Sequence, residues 1–195
     1  MKILVLGSNG SLAQVVVSEI LKKTNWEMIL YSKSPSRIQV SDNERMEFIQ
    51  ADVMDTEILQ DQLKKVDLVY ANLSGNLVGM AQILISSMQK TDKKRLIWIS
   101  SMGIYNEIEN EPYQSILDPY RDSATLIEKS DLNYTIIRPA WFSYADEIDY
   151  GITLKGEKFK NPQKQISRRS IADLIIKIIQ EKDFAIRESV GIHHQ

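Results

Sequence analysis

The first residues able to do chemistry are the small ones in GSNGSLA, residues 7–13, directly after the apolar run 2–6. Gly7 permits a tight turn, Gly10 leaves room for a pyrophosphate near the backbone, and Ala13 allows close packing of helix on strand. The free N–H groups and positive dipole end of the following helix suit a phosphate. The segment therefore predicts a nucleotide phosphate-binding turn, although a strand–helix turn that binds nothing can carry the same residues.

The end of the second apolar run, 27–32, indicates which dinucleotide would fit. An NAD site usually has Asp or Glu here for the ribose 2′-hydroxyl, but this chain has Ser32 followed by a basic loop with Lys33 and Arg37. Hydroxyls and cations suit a 2′-phosphate, which Arg can bind with two parallel hydrogen bonds. Ser32 and Arg37 are the favoured ligands, Lys33 can point away, and the pattern favours NADP(H) over NAD(H). A solvated basic loop is the alternative.

Asp52 closes the third apolar run, 46–52, in the tripeptide Ala-Asp-Val. A carboxylate at this strand end can accept a hydrogen bond from an adenine amino group. The alternative is an aspartate that caps the next helix or stabilises a loop.

These residues need a scaffold in which strand ends converge. Short apolar runs alternate with amphipathic segments, which predicts strands at 2–6, 27–32, 46–52, 67–73, 95–100, 134–139 and 189–192, and helices at 11–23, 56–65, 77–91, 119–129 and 170–180. This alternation implies right-handed crossovers and a parallel sheet with helices on both faces. We predict an α/β fold with a doubly wound parallel sheet in three layers, and ligands beyond the C-terminal strand ends.

Length, net charge and composition limit the classes of function that fit the chain. The length of 195 residues favours one domain, 1–195, with the irregular segment 141–169 as a substrate-side cap. The net charge of −2 favours neither nucleic acid nor an anionic membrane as partner, and no apolar run is long enough to span a bilayer. Cysteine is absent, and the two histidines, His193 and His194, form a tail expected to be solvated. We therefore expect a cytoplasmic protein without a metal site, thiol chemistry or a His-based triad.

The ordered segments GSNGSLA, ADV, RLIWISS, PYRDSATLIE and YTIIRPAW resemble the short-chain dehydrogenase/reductase superfamily. Within it, the chain is most similar to atypical NAD(P)-binding members related to NmrA-like proteins, biliverdin reductase B and small epimerase/dehydratase-like reductases. The resemblance implies a Rossmann fold that holds a dinucleotide. The residues that match the family's cofactor-binding segments are Gly7, Ser8, Asn9, Gly10, Ser11, Leu12, Asp52, Val53, Ala71, Asn72, Leu73, Pro139, Ala140 and Trp141.

The same resemblance implies the catalytic residues. Ser100 and Ser101 match a serine pair near the reacting carbonyl, and Tyr120 matches the tyrosine of the family's Tyr-x-x-x-Lys helix. In the family the lysine lowers the tyrosine pKa from about 10 and holds the ribose. Ala124 stands at the lysine position, and no tyrosine in the chain has lysine four residues later. The predicted catalytic residues are thus Ser101, Tyr120 and Ser100, with Tyr120 lacking its usual partner.

Three functions fit these features. The first is an NADPH-dependent reductase that transfers a hydride to a quinone, flavin or similar planar conjugated acceptor, since such acceptors need little help from a protein acid. The second is a non-catalytic NmrA-like NAD(P) sensor, which the missing lysine supports equally. The third is an epimerase/dehydratase-like enzyme, which ranks last because about 55 residues after Pro139 are too few for a substrate domain.

Several other residues have two interpretations. The aromatic residues Trp141, Phe142 and Tyr144 can line a pocket for a planar substrate or pack in the core. The acidic run 107–111 is expected to be a solvated loop. The arginine pair 168–169 can reach a ligand, but arginines before a helix usually lie on the surface.

Overall fold

In a computed structural model, which describes residues 1–34 and 44–195, strands and helices alternate along the chain. The strands are β1 (Lys2–Leu6), β2 (Glu27–Ser32), β3 (Met46–Gln50), β4 (Leu68–Ala71), β5 (Arg95–Ile99), β6 (Asn133–Pro139), β7 (Phe142–Ser143), β8 (Gly151–Leu154), β9 (Ile166–Ser167) and β10 (Glu188–His193). The helices are α1 (Ser11–Lys23), α2 (Thr56–Leu63), α3 (Leu77–Lys90), α4 (Asp118–Glu128) and α5 (Arg168–Gln180), with a short 3-10 turn at Ser115–Leu117 before α4.

Eight of these strands form the central sheet, in the order β3-β2-β1-β4-β5-β6-β10-β8. All neighbours pair in parallel except β8, which runs antiparallel to β10 at one edge. The chain winds outward from β1 in one direction to β3 and then in the other from β4 onward. The strand order therefore reverses between β1 and β4, which is where doubly wound sheets bind ligands. The predicted Rossmann-type fold in a single domain is confirmed.

Strand β1 shows how the three layers are held together. Because successive side chains of a strand point to opposite faces, Ile3 and Val5 join the apolar cluster that contains α1 and α5. Leu4 and Leu6 join the cluster on the other face, with α2, α3 and α4. All four side chains are fully buried. This explains why the strand is a continuous apolar run instead of an alternating one.

The segment 141–169 has two structural parts. Strands β7 and β9 pair with each other in a separate parallel ribbon, whereas β8 extends the central sheet by pairing with β10. Helix α5 then begins at Arg168, two residues before the predicted start. The Ser167 hydroxyl caps it by accepting a hydrogen bond from the Ser170 N–H at 2.9 Å.

The prediction that both C-terminal histidines are solvated is wrong for His193. This residue is 3% exposed, and its ring packs edge-on against Phe159 with a centroid distance of 5.9 Å. The cause is that β10 is inserted between β6 and β8, so the end of the chain belongs to the interior of the sheet.

Candidate functional site

The loop between β1 and α1 forms a cradle at the switch point of the sheet. The N–H groups of Gly7 and Ser8 donate to the Tyr31 carbonyl at 3.0 and 3.3 Å, and the Gly10 N–H donates to the Gly7 carbonyl at 3.0 Å. Helix α1 begins after Gly10 with no side-chain cap and no acidic residue in its first turn. A helix start of this kind offers its N–H groups and dipole to an anion.

The close contact of this loop with the backbone of Asn72 requires glycine at position 7, and Gly10 contacts the movable Asn72 side chain. Gly7 has a φ of +73°, and a Cβ added there would lie 2.1 Å from the Asn72 carbonyl oxygen. A Cβ on Gly10 would lie 2.4 Å from the Asn72 side-chain nitrogen. The structure thus gives Gly10 a packing role against the end of β4, in addition to the room for a ligand that its position in the motif predicts.

A cavity of about 240 Å³ opens beside this loop, at the C-terminal ends of β1 to β4. The predicted cofactor residues that line it are Gly7, Asn9, Gly10, Ser32, Asp52, Val53, Asn72 and Leu73. Three others, Ser8, Leu12 and Ala71, are at most 1% exposed and do not line the cavity. Arg37 lies outside the described residues.

Asn9 and Ser32 connect the loop to the end of β2. The Asn9 side-chain nitrogen donates to the Ser32 hydroxyl at 3.1 Å and to the Ser34 carbonyl at 3.3 Å. The Ser32 hydroxyl in turn donates to the Ser34 carbonyl at 2.5 Å. This chain of hydrogen bonds holds the polar β2 end against the phosphate loop.

Lys33 does not point away from the cavity. Its ammonium lies 2.8 Å from a carboxylate oxygen of Asp52, and both residues line the cavity. The hydrogen bond from Lys33 holds the pKa of the Asp52 carboxyl below its ordinary value, and the Met54 N–H contributes in the same direction. Asp52 therefore lines the cavity and also makes the local loop contact that was the alternative interpretation, and its hydrogen bond to an adenine amino group stays a prediction.

A second cavity of about 400 Å³ lies at the C-terminal ends of β5 and β6. All three predicted catalytic residues line it, namely Ser100, Ser101 and Tyr120, together with Pro139, Ala140 and Trp141. Its remaining walls are Met102, Ile108, Glu111, Gln114, Ile116, Leu117 and Phe142. Trp141 and Phe142 are therefore cavity residues, whereas Tyr144 is 90% exposed and lies outside the wall.

The hydroxyls of this cavity differ in their freedom to bind a ligand. Ser100 is 6% exposed, and its hydroxyl has no hydrogen-bond partner among the described residues. A buried polar atom without a partner is costly unless something binds it. The Ser101 hydroxyl donates to the Met102 carbonyl at 3.0 Å, which leaves its oxygen able to accept.

The position on α4 that corresponds to the family's lysine is occupied by a buried alanine. Ala124 is fully buried in the apolar cluster below the sheet face, against which Tyr120 also packs in part. A long cationic side chain at this position would have to leave the apolar cluster to reach water or a ligand. The packing of α4 therefore suits alanine, and not lysine, at position 124.

The expectation that the acidic run 107–111 is solvated is wrong for Glu107. Its carboxylate accepts hydrogen bonds from the N–H groups of Gly103 and Tyr105, at 3.0 and 2.9 Å. It also forms an ion pair with Arg138, a fully buried arginine on β6. The pair fixes the turn that carries Met102 and Ile108, two walls of the second cavity. No motif indicated this pair, because the residues lie 31 positions apart.

Arg168 contacts the phosphate loop from the other end of the chain. Its guanidinium donates to the Ser11 hydroxyl at 3.2 Å and to the Ser143 carbonyl at 2.7 Å. It also stacks over the ring of Tyr144 at 4.3 Å. The arginine therefore joins segment 141–169 to the first turn of α1, and it is a cation next to the predicted pyrophosphate position. Arg169, in contrast, pairs with Asp146 on the surface at 2.9 Å.

Two common kinds of site have no counterpart in residues 1–34 and 44–195. No group of three or more His, Cys, Asp or Glu side chains there is arranged to hold a metal ion. No helix there has the length and hydrophobicity to cross a membrane.

The fold and the glycine cradle define a Rossmann-type dinucleotide-binding protein. A family model described as NAD(P)H-binding matches residues 7–182, so the chain belongs to this NAD(P)H-binding family. The predicted membership of an NAD(P)-binding Rossmann-fold family is thereby confirmed.

Solved structures of NAD(P)-binding proteins are similar to this chain over nearly its whole length. A Rossmann-fold NAD(P)-binding family protein from Shigella flexneri is 35% identical, with a TM-score of 0.87 over 99% of this chain and 93% of that one. A wide-type short-chain dehydrogenase/reductase from Veillonella parvula in complex with NADP is 25% identical, with a TM-score of 0.88 over 99% of this chain and 94% of that one. The search of curated proteins found no match.

Proposed function

We propose that the chain is an NADPH-dependent reductase that transfers a hydride to a quinone, flavin or similar conjugated acceptor. The observation that carries this proposal is the open cavity of about 400 Å³ that brings Ser100, Ser101 and Tyr120 together with Pro139 and Trp141. A protein that only senses the cofactor has no need of such a cavity beside Pro139, Ala140 and Trp141, which match the turn that lies against the nicotinamide in the family that the chain resembles.

The chain's own residues provide the cofactor site. The backbone around Gly7 and Gly10 and the uncapped start of α1 would bind the pyrophosphate. Arg168 would add a positive charge next to Ser11. Asp52, Val53 and Leu73 would enclose the adenosine half, and Pro139 to Trp141 would lie along the nicotinamide.

The acceptor class follows from what the site lacks. When bound, NADPH supplies a hydride, which gives the quinone two electrons and one proton, and water supplies the second proton of the hydroquinone. The buried Ala124 gives Tyr120 no lysine partner, so the site favours acceptors whose charge is delocalised over a ring system. The Ser100 hydroxyl, which is buried without a partner in residues 1–34 and 44–195, would be free to donate to the acceptor oxygen.

We further propose that NADP(H) is preferred over NAD(H). Ser32 and Lys33 line the cavity at the β2 end, where an NAD site would carry a carboxylate ligand for the ribose. Arg37 remains a predicted third ligand. The NADP complex of the Veillonella parvula relative is in line with this preference.

The test is NADPH oxidation measured with a panel of quinones and flavins. We expect turnover with at least one neutral quinone, a loss of most of it in Ser100→Ala and a smaller loss in Tyr120→Phe, because such acceptors need little help from a protein acid. Tyr113→Phe is the matched control, because Tyr113 loses the same hydroxyl but lies outside the cavity wall. Absence of turnover above background across the panel, with NADPH binding intact, would contradict the proposal.

NADPH binding without turnover would favour the second candidate, a non-catalytic NAD(P) sensor. The specific observation in its favour is the complete burial of Ala124, which leaves the α4 helix without the family's proton-transfer partner. A sensor should bind NADPH tightly and change its affinity for a partner protein without consuming the cofactor.

A further inference from the structure

The charge on the walls of the 400 Å³ cavity is negative and comes from one side chain among the described residues. Among the described residues that line it, Glu111 is the one charged side chain. The other polar groups are Ser100, Ser101, Gln114 and Tyr120, and the rest of the wall is apolar. Two large apolar side chains, Ile116 and Trp141, are 76% and 71% exposed at its rim. The cavity therefore suits a flat apolar molecule in contact with a single carboxylate.

Glu111 differs from its acidic neighbours because no cation of residues 1–34 and 44–195 pairs with it. Glu107 pairs with the buried Arg138, and Glu109 pairs with Lys158 at 3.0 Å. Glu111 has no ion pair in the described part of the chain; its carboxylate accepts one hydrogen bond, from the Gln114 amide at 3.1 Å. Its negative charge is thus available to a ligand in the cavity.

Two arginines that neighbour cavity-wall residues, Arg121 beside Tyr120 and Arg168 near Phe142, are engaged elsewhere. Arg121 donates to the Ile104 carbonyl at 2.8 Å and pairs with Asp118. Arg168 has its guanidinium 5.0 Å from the Phe142 ring and is bonded to Ser11 and Ser143. Neither lines the cavity, so neither offers a direct partner for an anionic group of the acceptor.

We propose that the acceptor is a neutral or cationic aromatic molecule with an N–H or O–H donor on the edge facing Glu111, and that anionic acceptors are rejected. This inference rests on the proposed reductase function and specifies its substrate class. An anion next to Glu111 would lose water and meet a like charge, which is costly in a partly enclosed site. A donor group there would gain a charge-assisted hydrogen bond.

The test measures binding without cofactor, through quenching of tryptophan fluorescence, since Trp141 lines the cavity. The probes are an unsubstituted naphthoquinone, its sulfonate and its amino derivative. For the wild type we expect the sulfonate to bind about tenfold more weakly than the neutral quinone, the order expected for one like-charge contact near a protein surface. The amino derivative should bind at least as tightly as the neutral quinone.

Two variants of Glu111 and one control distinguish a direct contact between Glu111 and the probe from the general electrostatic field of the acidic segment. Glu111→Gln should remove the difference between the sulfonate and the neutral quinone, and Glu111→Lys should reverse it. Glu109→Lys makes the same change in charge two residues away, outside the cavity wall, and should leave the order of affinities unchanged. Both acids belong to an exposed segment, so the variants should fold.

The results that would overturn the inference are equal wild-type affinities for sulfonate and neutral quinone, no binding of any probe, or equal effects of Glu109→Lys and Glu111→Lys. Steady-state NADPH oxidation with the same compounds distinguishes this failure from failure of the reductase proposal. Turnover of the sulfonate at the rate of the neutral quinone would refute the charge selectivity alone. Charge-selective binding without any turnover would refute the reductase alone.

Discussion

Replacing Gly7 by alanine tests whether the loop between β1 and α1 both stabilises the fold and binds the cofactor. The residue has a φ of +73°, and a Cβ there would lie 2.1 Å from the backbone oxygen of Asn72. An L-residue in the left-handed region costs about 1–2 kcal/mol. A contact this short must be relieved by moving backbone, and overpacking of this kind costs about 1–3 kcal/mol more. We therefore expect Gly7→Ala to lower the unfolding free energy by roughly 2–5 kcal/mol.

Gly156→Ala provides the matched control. Gly156 also has a positive φ, +92°, but a Cβ there would meet nothing within 4 Å. The left-handed backbone and the reduced freedom of the unfolded chain affect both variants, so their difference isolates the contact with Asn72. Gly156→Ala should cost only about 1–2 kcal/mol.

The assay is urea unfolding followed by circular dichroism, with the midpoint and slope compared for each variant. A parallel NADPH titration should show weakened binding in Gly7→Ala and unchanged binding in Gly156→Ala. If the two variants lose the same stability, within about 0.5 kcal/mol, the loop does not press against the β4 end as described. Unchanged NADPH binding in Gly7→Ala would refute its place in the phosphate site.

Three further predictions concern charged and buried groups. Lys33→Ala should weaken NADPH binding by up to about fivefold, the range for one exposed ion pair, and leave NADH binding unchanged. Lys64→Ala, equally exposed and also paired with an aspartate, is the control, and equal losses for both cofactors would contradict the 2′-phosphate role. Glu107→Gln should lower the unfolding free energy by about 3–5 kcal/mol, because it leaves the buried Arg138 without a counter-charge; a loss below about 1 kcal/mol in urea unfolding would refute this. Burial raises the pKa of Tyr31 to about 12, so the folded chain keeps a proton that the unfolded chain releases above about pH 10, and stability falls as pH rises. Tyr31→Phe should remove about 1.4 kcal/mol of the fall in unfolding free energy between about pH 9 and about pH 11, and an unchanged fall in the variant would count against it.

The sequence by itself determined the succession of elements and the placing of most predicted site residues. Apolar runs and helical periodicity predicted β1, α1 and β2 with the bounds that the structure has. Because parallel strands end at one edge of a sheet, residues that follow different strands were expected to converge. Ser100, Ser101, Tyr120 and Trp141 do line one cavity.

Only the tertiary structure decided which partners the charged and buried polar groups have. Glu107 reads as one acid among several in a polar loop, but it meets Arg138 because β6 runs beside β5 and brings the arginine under the turn. His193 is buried because β10 enters the sheet between β6 and β8. Lys33 lines the cavity because β2 and β3 end side by side, which brings it to Asp52.

The physical reason is the range of the forces involved. Strand and helix periodicity comes from the backbone geometry of neighbouring residues, so it is visible within a few positions of sequence. Ion pairs and burial depend on which distant segments the sheet places together, and each costs or gains free energy only once those segments have met. Glu111 is the clearest case, since the sequence shows it among other acids, and only the folded chain leaves it as the single charged side chain among the described residues that line the 400 Å³ cavity.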